Sequence, residues 1–284
     1  MRTSSPLRRL AHLPDSVRRL AHLPDSVRRR EPGTRPARRL ARPIGLALSV
    51  GALALAGVTM PTSPAHPDSG RAAGPPAAFG SYRHYNVNGY NWGGHAASGS
   101  GFASVSATWR QPAATCNSTA DTYAPWVGLD GYGSPMIEQT GVATDCSTGR
   151  AVHLAWYEFY PAQAVYLNAA SYPVASGDVV HASVAYAGAS TYRVTLSDRT
   201  RGWTFTTSRT VTASQASAEV IIESPPGRYP NFHSLTFTQI TVNGRSLGNY
   251  STVALDPSAN GVFEAHTGAL TGGGTAFTIS YLRE

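Results

Sequence analysis

Four segments of this chain alternate apolar with small or polar residues at a period of two: Phe102 to Trp109, Val179 to Tyr186, Tyr192 to Leu196 and Leu235 to Val242. Such alternation sets one strand face against a core and the other toward water, and no long stretch shows helical periodicity. Turn chemistry agrees. Asn243-Gly244, between Thr241-Val242 and Arg245-Ser246, is a two-residue hairpin signal, and Asp198 to Gly202 punctuates another hairpin before Trp203. Short strands, regular turns and Gly-rich connections predict an all-β fold, an antiparallel β-sandwich or jelly roll of two packed sheets.

This texture fills residues 81–284, long enough to bury one core, so one sandwich domain is expected there. The rest reads differently. Residues 1–65 hold 12 arginines against three acids, whereas residues 66–284 hold 11 arginines against 13 acids. The positive charge therefore belongs to the leader, and the body carries no nucleic-acid footprint. Arginines at 35, 38, 39 and 42 precede an apolar run from Ile44 to Met60 and the small residues Ser63 and Ala65, the pattern of an export signal cleaved near Ala65. A secreted protein without stable membrane association is expected. The decapeptide RRLAHLPDSV occurs twice, at 8–17 and 18–27, too few copies for a repeat fold. Residues 66–80 have the Pro, Ala, Gly and Ser content of a linker or short pro-segment.

Cys116 and Cys146 are the only cysteines, and in an exported chain an even count predicts a disulfide. The histidines of the body form no zinc-ligand spacing, so neither metal nor cofactor is expected. Strand parity is more informative, because side chains two apart share a face. Trp156, Glu158 and Tyr160 share one, as do Trp126 and Asp130 with Gly128 between them as a gap in the wall, and as do Glu219 and Glu223. Three carboxylate-bearing segments, two flanked by aromatic groups, suggest a lined cleft. Taken singly, a strand glutamine or glutamate is more often solvent-facing than catalytic, and Trp126 or Trp156 more often core. Glu138 points away from its neighbour Gln139 and is expected to be exposed. Asp178 reads as a turn residue.

In combination the motifs are specific. Asn91-Trp92-Gly93-Gly94, WVGLDG (Trp126 to Gly131), Gln139-Thr140-Gly141, AWYEFYP (Ala155 to Pro161), Ser176-Gly177-Asp178 and AEVIIE ending at Glu223 occur in one order. The chain here resembles the glutamic peptidases, or eqolisins, in a bacterial-type secreted form. The resemblance implies an acid-acting endopeptidase on a β-sandwich, working without metal or cofactor, with Gln139 and Glu223 as catalytic dyad. It also implies a cleft that includes Trp92, Trp126, Asp130, Trp156, Glu158, Tyr160 and Glu219. The expected partners are protein or peptide substrates, bound by a monomer.

Two other classes fit parts of the pattern. Glu158 with Glu223 matches the paired carboxylates of a jelly-roll glycoside hydrolase, which leaves Gln139 without a role. A non-catalytic peptide- or glycan-binding sandwich would use the same cleft without cleaving its ligand.

Overall fold

A computed structural model describes residues 86–258 and 261–283. The leader, the linker and the two decapeptides lie outside the described residues. The observed fold is the expected sandwich. Its first sheet, numbered in chain order, runs β1 (Val87–Asn88), β14 (Thr252–Asp256), β2 (Trp92–Ser98), β11 (Ser217–Glu223), β4 (Thr122–Leu129), β5 (Ile137–Asp145), β6 (Val152–Tyr160) and β7 (Val165–Tyr166). The second runs β10 (Trp203–Thr210), β9 (Thr191–Asp198), β8 (Val179–Tyr186), β3 (Ser104–Arg110), β12 (Ser234–Val242), β16 (Phe277–Tyr281) and β15 (Ala265–Thr267). The pairings are antiparallel except for β1 with β14. Both hairpins form, β9 with β10 and β12 with the short β13 (Arg245–Ser246). Asn243 and Gly244 take φ of 49° and 72°, the left-handed pair that a two-residue turn requires.

The core lies between the sheets. Val127 and Leu129 of β4, Val142 of β5 and Ile222 of β11 meet Val184 of β8, Leu196 of β9 and Phe237 of β12, all buried. Each such side chain contributes about 1.5–3 kcal/mol by leaving water. The first sheet is unusual in being covered on its other face too, where Ala96, Trp126, Ala143, Trp156, Ile221 and Leu255 form a second buried cluster. This explains why β5 and β11, which carry the Gln139 and Glu223 motifs, show no visible alternation in sequence: neither face of either strand is open to solvent along most of its length.

Cys116 and Cys146 are bonded, closing a loop of sequence separation 30 that holds all of β4 and β5. Replacing both with serine is expected to lower the unfolding free energy by about 3–4 kcal/mol, the denatured-state entropy that a loop of this length restores. Urea titration of the oxidised protein and the double variant measures it, and a loss under about 1 kcal/mol would contradict that origin.

Candidate active site

The antiparallel register assembles the site. Gln139 on β5 lies opposite Glu158 on β6 and, on its other side, opposite Gly128 on β4. Gly128 in turn faces Glu219 on β11, and Glu223 at the end of β11 pairs with Ala124 and Trp92. Gly141, two residues after Gln139, sits in register between Trp126 and Trp156. A Cβ on Gly141 would fall 2.1 Å from the carbonyl oxygen of Pro125, so the two strands can close only around a glycine.

Gln139 and Glu158 are nearly enclosed, at 4% and 6% exposure, and Gln139 Nε2 donates to Glu158 Oε2 at 2.6 Å. The Oε1 of Gln139 is buried and accepts no hydrogen bond from the described residues. Glu223 is half-buried, and Asn91 Nδ2 donates to its Oε1 at 3.0 Å. The side chains of Gln139, Glu158 and Glu223 line one cavity of about 190 Å³, walled by Trp156, Tyr160 and Tyr166 among others. Loss of hydration pushes Glu223 up to about 7, against the pull of Trp92, Trp126 and Asn91. Trp126 Nε1 is buried and makes no hydrogen bond of normal geometry among the described residues. Glu158 also rises to about 7, through desolvation and the charge of Glu223, opposed by its bonds from Gln139 and the backbone of Ala164. The arrangement offers a carboxylate that can exchange a proton near neutral pH and an amide that can stabilise a developing negative oxygen.

The other sequence-derived candidates divide. Trp156 and Tyr160 line the cavity with Glu158, and Trp92 packs edge-on against Trp126 with ring centroids 5.1 Å apart. Glu219 shares their sheet face but is fully buried, its Oε1 accepting from Tyr132 N at 3.0 Å. Asp130 does not follow the parity expected of it. β4 ends at Leu129, Asp130 turns left-handed at φ 69°, and its carboxylate accepts the backbone N–H groups of Gln215 and Ala216. It fixes a loop and is absent from the cavity wall.

Glu138 also departs from expectation. It is fully buried on the inter-sheet side, in register with Leu129 and Phe159, and neither carboxylate oxygen has a hydrogen-bond partner among the described residues. The expectation of exposure assumed that the face opposite Gln139 meets water, whereas the second sheet covers it. Asp178 is the turn residue expected, accepting from Ala175 N at 2.7 Å. Sequence reasoning named neither Asn91 nor Tyr166 as a site residue. Asn91 had a signal in the motif that it opens; Tyr166 had none, because its place depends on the short edge strand β7.

The sequence pattern of the peptidase A4 family matches residues 90–281, which include every strand lining this cavity. The chain belongs to the peptidase A4 family. Among A4-type relatives, scytalidopepsin B of Scytalidium lignicola is 34% identical over 138 residues, 47% of this chain and 51% of that protein, so the match spans about half of its length. Aspergillopepsin-2 of Aspergillus niger is 25% identical over 223 residues, 68% of this chain and 77% of that protein. The solved structure of scytalido-glutamic peptidase with a peptide-based transition-state analogue superposes with a TM-score of 0.58 at 26% identity, covering 69% of this chain and all of that one.

Within this A4-family site, Asn91 stabilises the ionised form of Glu223 by donating to it. Asn91→Ala is therefore expected to move the Glu223 titration to higher pH. Carbon-13 NMR of labelled glutamate carboxyls reads this directly, and an unchanged or lowered midpoint would contradict the assignment.

Proposed function

We propose that the chain is a secreted endopeptidase that hydrolyses peptide bonds in protein and peptide substrates with Gln139 and Glu223 as its dyad. The observation that carries this reading is that the two residues, from β5 and β11, line one aromatic-walled cavity whose lining, among the described residues, includes no cation. Ionised Glu223 takes a proton from a water as its oxygen bonds the scissile carbonyl carbon. A Gln139 N–H donates to the carbonyl oxygen as that oxygen becomes negative. Glu223 then returns the proton to the departing amine as the C–N bond breaks.

The reading draws further support from family membership and from the peptide-based analogue bound by a relative of the same fold. Each turnover needs Glu223 ionised at the start, and its half-buried carboxyl holds its proton up to about 7. Activity is accordingly expected to rise with pH toward about 7 as Glu223 ionises, which places the optimum nearer neutrality than the acid range the family resemblance implies.

The test is to express the full chain with its leader and incubate the exported product with a denatured protein and with soluble glucans, at pH values from 3 to 8. New internal peptide termini by mass spectrometry, without release of reducing sugar, are expected. Sugar release without proteolysis would replace the dyad with the carboxylate pair Glu158 and Glu223, and neither activity would leave a binding module.

A further inference from the structure

The carboxamide of Gln139 has unlike ends, two donors on Nε2 and an acceptor at Oε1, and only the donor end is matched by the described residues. Its side-chain partner is Glu158, at 2.6 Å. An ionised carboxylate only accepts hydrogen bonds, so it can hold only the NH2 end. A protonated one carries an O–H and can hold the oxygen end instead. A half-turn of the planar amide exchanges Nε2 and Oε1 with almost no movement of other atoms. The position now taken by Oε1 is buried and has no hydrogen-bond partner among the described residues, so donors turned into it meet no competing acceptor beside the cavity that Gln139 lines.

We propose that Glu158 is the positioning residue for Gln139 and that its proton decides which end of the amide the cavity receives. With the proton on, Glu158 donates to Oε1 and releases the NH2 group to the forming oxyanion. With the proton off, it claims the NH2 group and leaves Oε1 facing the site, where a negative oxygen would be repelled. The inference rests on the dyad reading and adds the regulation of that site.

The surroundings favour the protonated form in working conditions. Glu158 is 6% exposed and faces Gln139 from β5, Glu223 from β11, the backbone N–H of Ala164 and the Tyr166 hydroxyl from β7, with Tyr160 beside it on β6. Among the described residues, no arginine or histidine lines this cavity. Two carboxyls that share a cavity lose their protons in separate steps that belong to the pair. In the proposal the first loss is from Glu223, whose ionised form Asn91 Nδ2 holds, and ionised Glu223 beside protonated Glu158 is the productive state. The second ionises Glu158 and turns the amide. The rise of activity with pH therefore follows Glu223, and its fall follows Glu158.

Three proteins and two readouts test this. In kcat/KM profiles, Glu158→Gln always has an N–H to offer Oε1, so its upper limb should move up by roughly one pH unit or more, because the neighbour that ionises and reclaims the amide is gone. Glu158→Ala should lower kcat by about 100-fold with KM little changed, the size expected when an oxyanion donor is misplaced, and Glu158→Gln should recover most of that loss. Independently of turnover, nitrogen-15 labelling of glutamine should show the Gln139 side-chain amide, assigned by its loss in Gln139→Ala, shifting with pH in the parent protein and not in Glu158→Gln. An amide that does not titrate in the parent, or an upper limb unchanged in Glu158→Gln, would overturn the proposal. Proteolysis that persists in Glu223→Gln would sink the dyad reading instead, and would leave the amide titration standing. If Glu158→Ala does not fold, the glutamine variant and the amide titration still decide.

Discussion

Glu223→Gln is expected to lower kcat by a factor of about 1,000 or more while the protein stays folded, because the variant keeps shape and burial but can neither take nor return a proton. Its amide can still accept from Asn91 Nδ2, the bond that holds the native carboxylate at Oε1. Gln139→Ala should cost about 100- to 1,000-fold, the range found when a single oxyanion donor is removed from a dry site. The double variant should be scarcely worse than the first, since residues acting on one transition state are not additive. Single-turnover cleavage of a fluorogenic peptide gives all three rates, with circular dichroism as the check on folding. Residual activity within tenfold of the parent in either single variant would remove that residue from the dyad.

The second large effect concerns stability. Desolvation, followed by the charges of Asp130 and Glu219, pushes Glu138 up to about 8, and desolvation pushes Glu219 up to about 7. Both lie above the 4.5 of an unperturbed glutamate. The folded state thus binds protons that the unfolded chain releases, so these groups stabilise fully below about pH 4.5 and progressively less as pH rises through 7 to 8. Each can cost on the order of 3 kcal/mol across that window. Burial lowers the pKa of His95, His153 and His181, which acts in the opposite sense: their contribution is present above 6.5 and fades as pH falls through their folded values. Greatest stability is expected in mild acid. Unfolding free energies from urea titrations at pH 5 and pH 8 should differ markedly for the parent and by about 3 kcal/mol less for Glu138→Gln, which cannot ionise. Equal differences in the two proteins would mean that Glu138 is not the group responsible.

How far the sequence disclosed this molecule depended on which faces meet solvent. The strands that announced the fold, β3, β8, β9 and β12, belong to the second sheet, where burial alternates along much of each strand. Parity then placed Glu158 with Trp156 and Tyr160, and Glu219 with Glu223, on the faces where they are found. It failed at Asp130 because a left-handed residue just past a strand end has no parity to obey. It misjudged Glu138 because alternation cannot say whether a polar residue's face meets water or a second sheet. Gln139 and Glu223 were reached through ordered motifs; strand physics alone offered Glu158 equally. The hydrogen bond that joins Gln139 to Glu158 depends on a register that no local pattern encodes.

The apolar cluster on the cleft side of the first sheet has one more consequence. Trp126 and Trp156 belong to it, Trp92 packs against it, and Trp156 forms part of the cavity wall. Three of the five tryptophans of the chain are thus gathered within or beside the site, while Trp109 lies in the core and Trp203 on β10. The protein carries its own optical gauge of the cleft, through which occupancy and ionisation there can be followed in the unlabelled molecule without turnover.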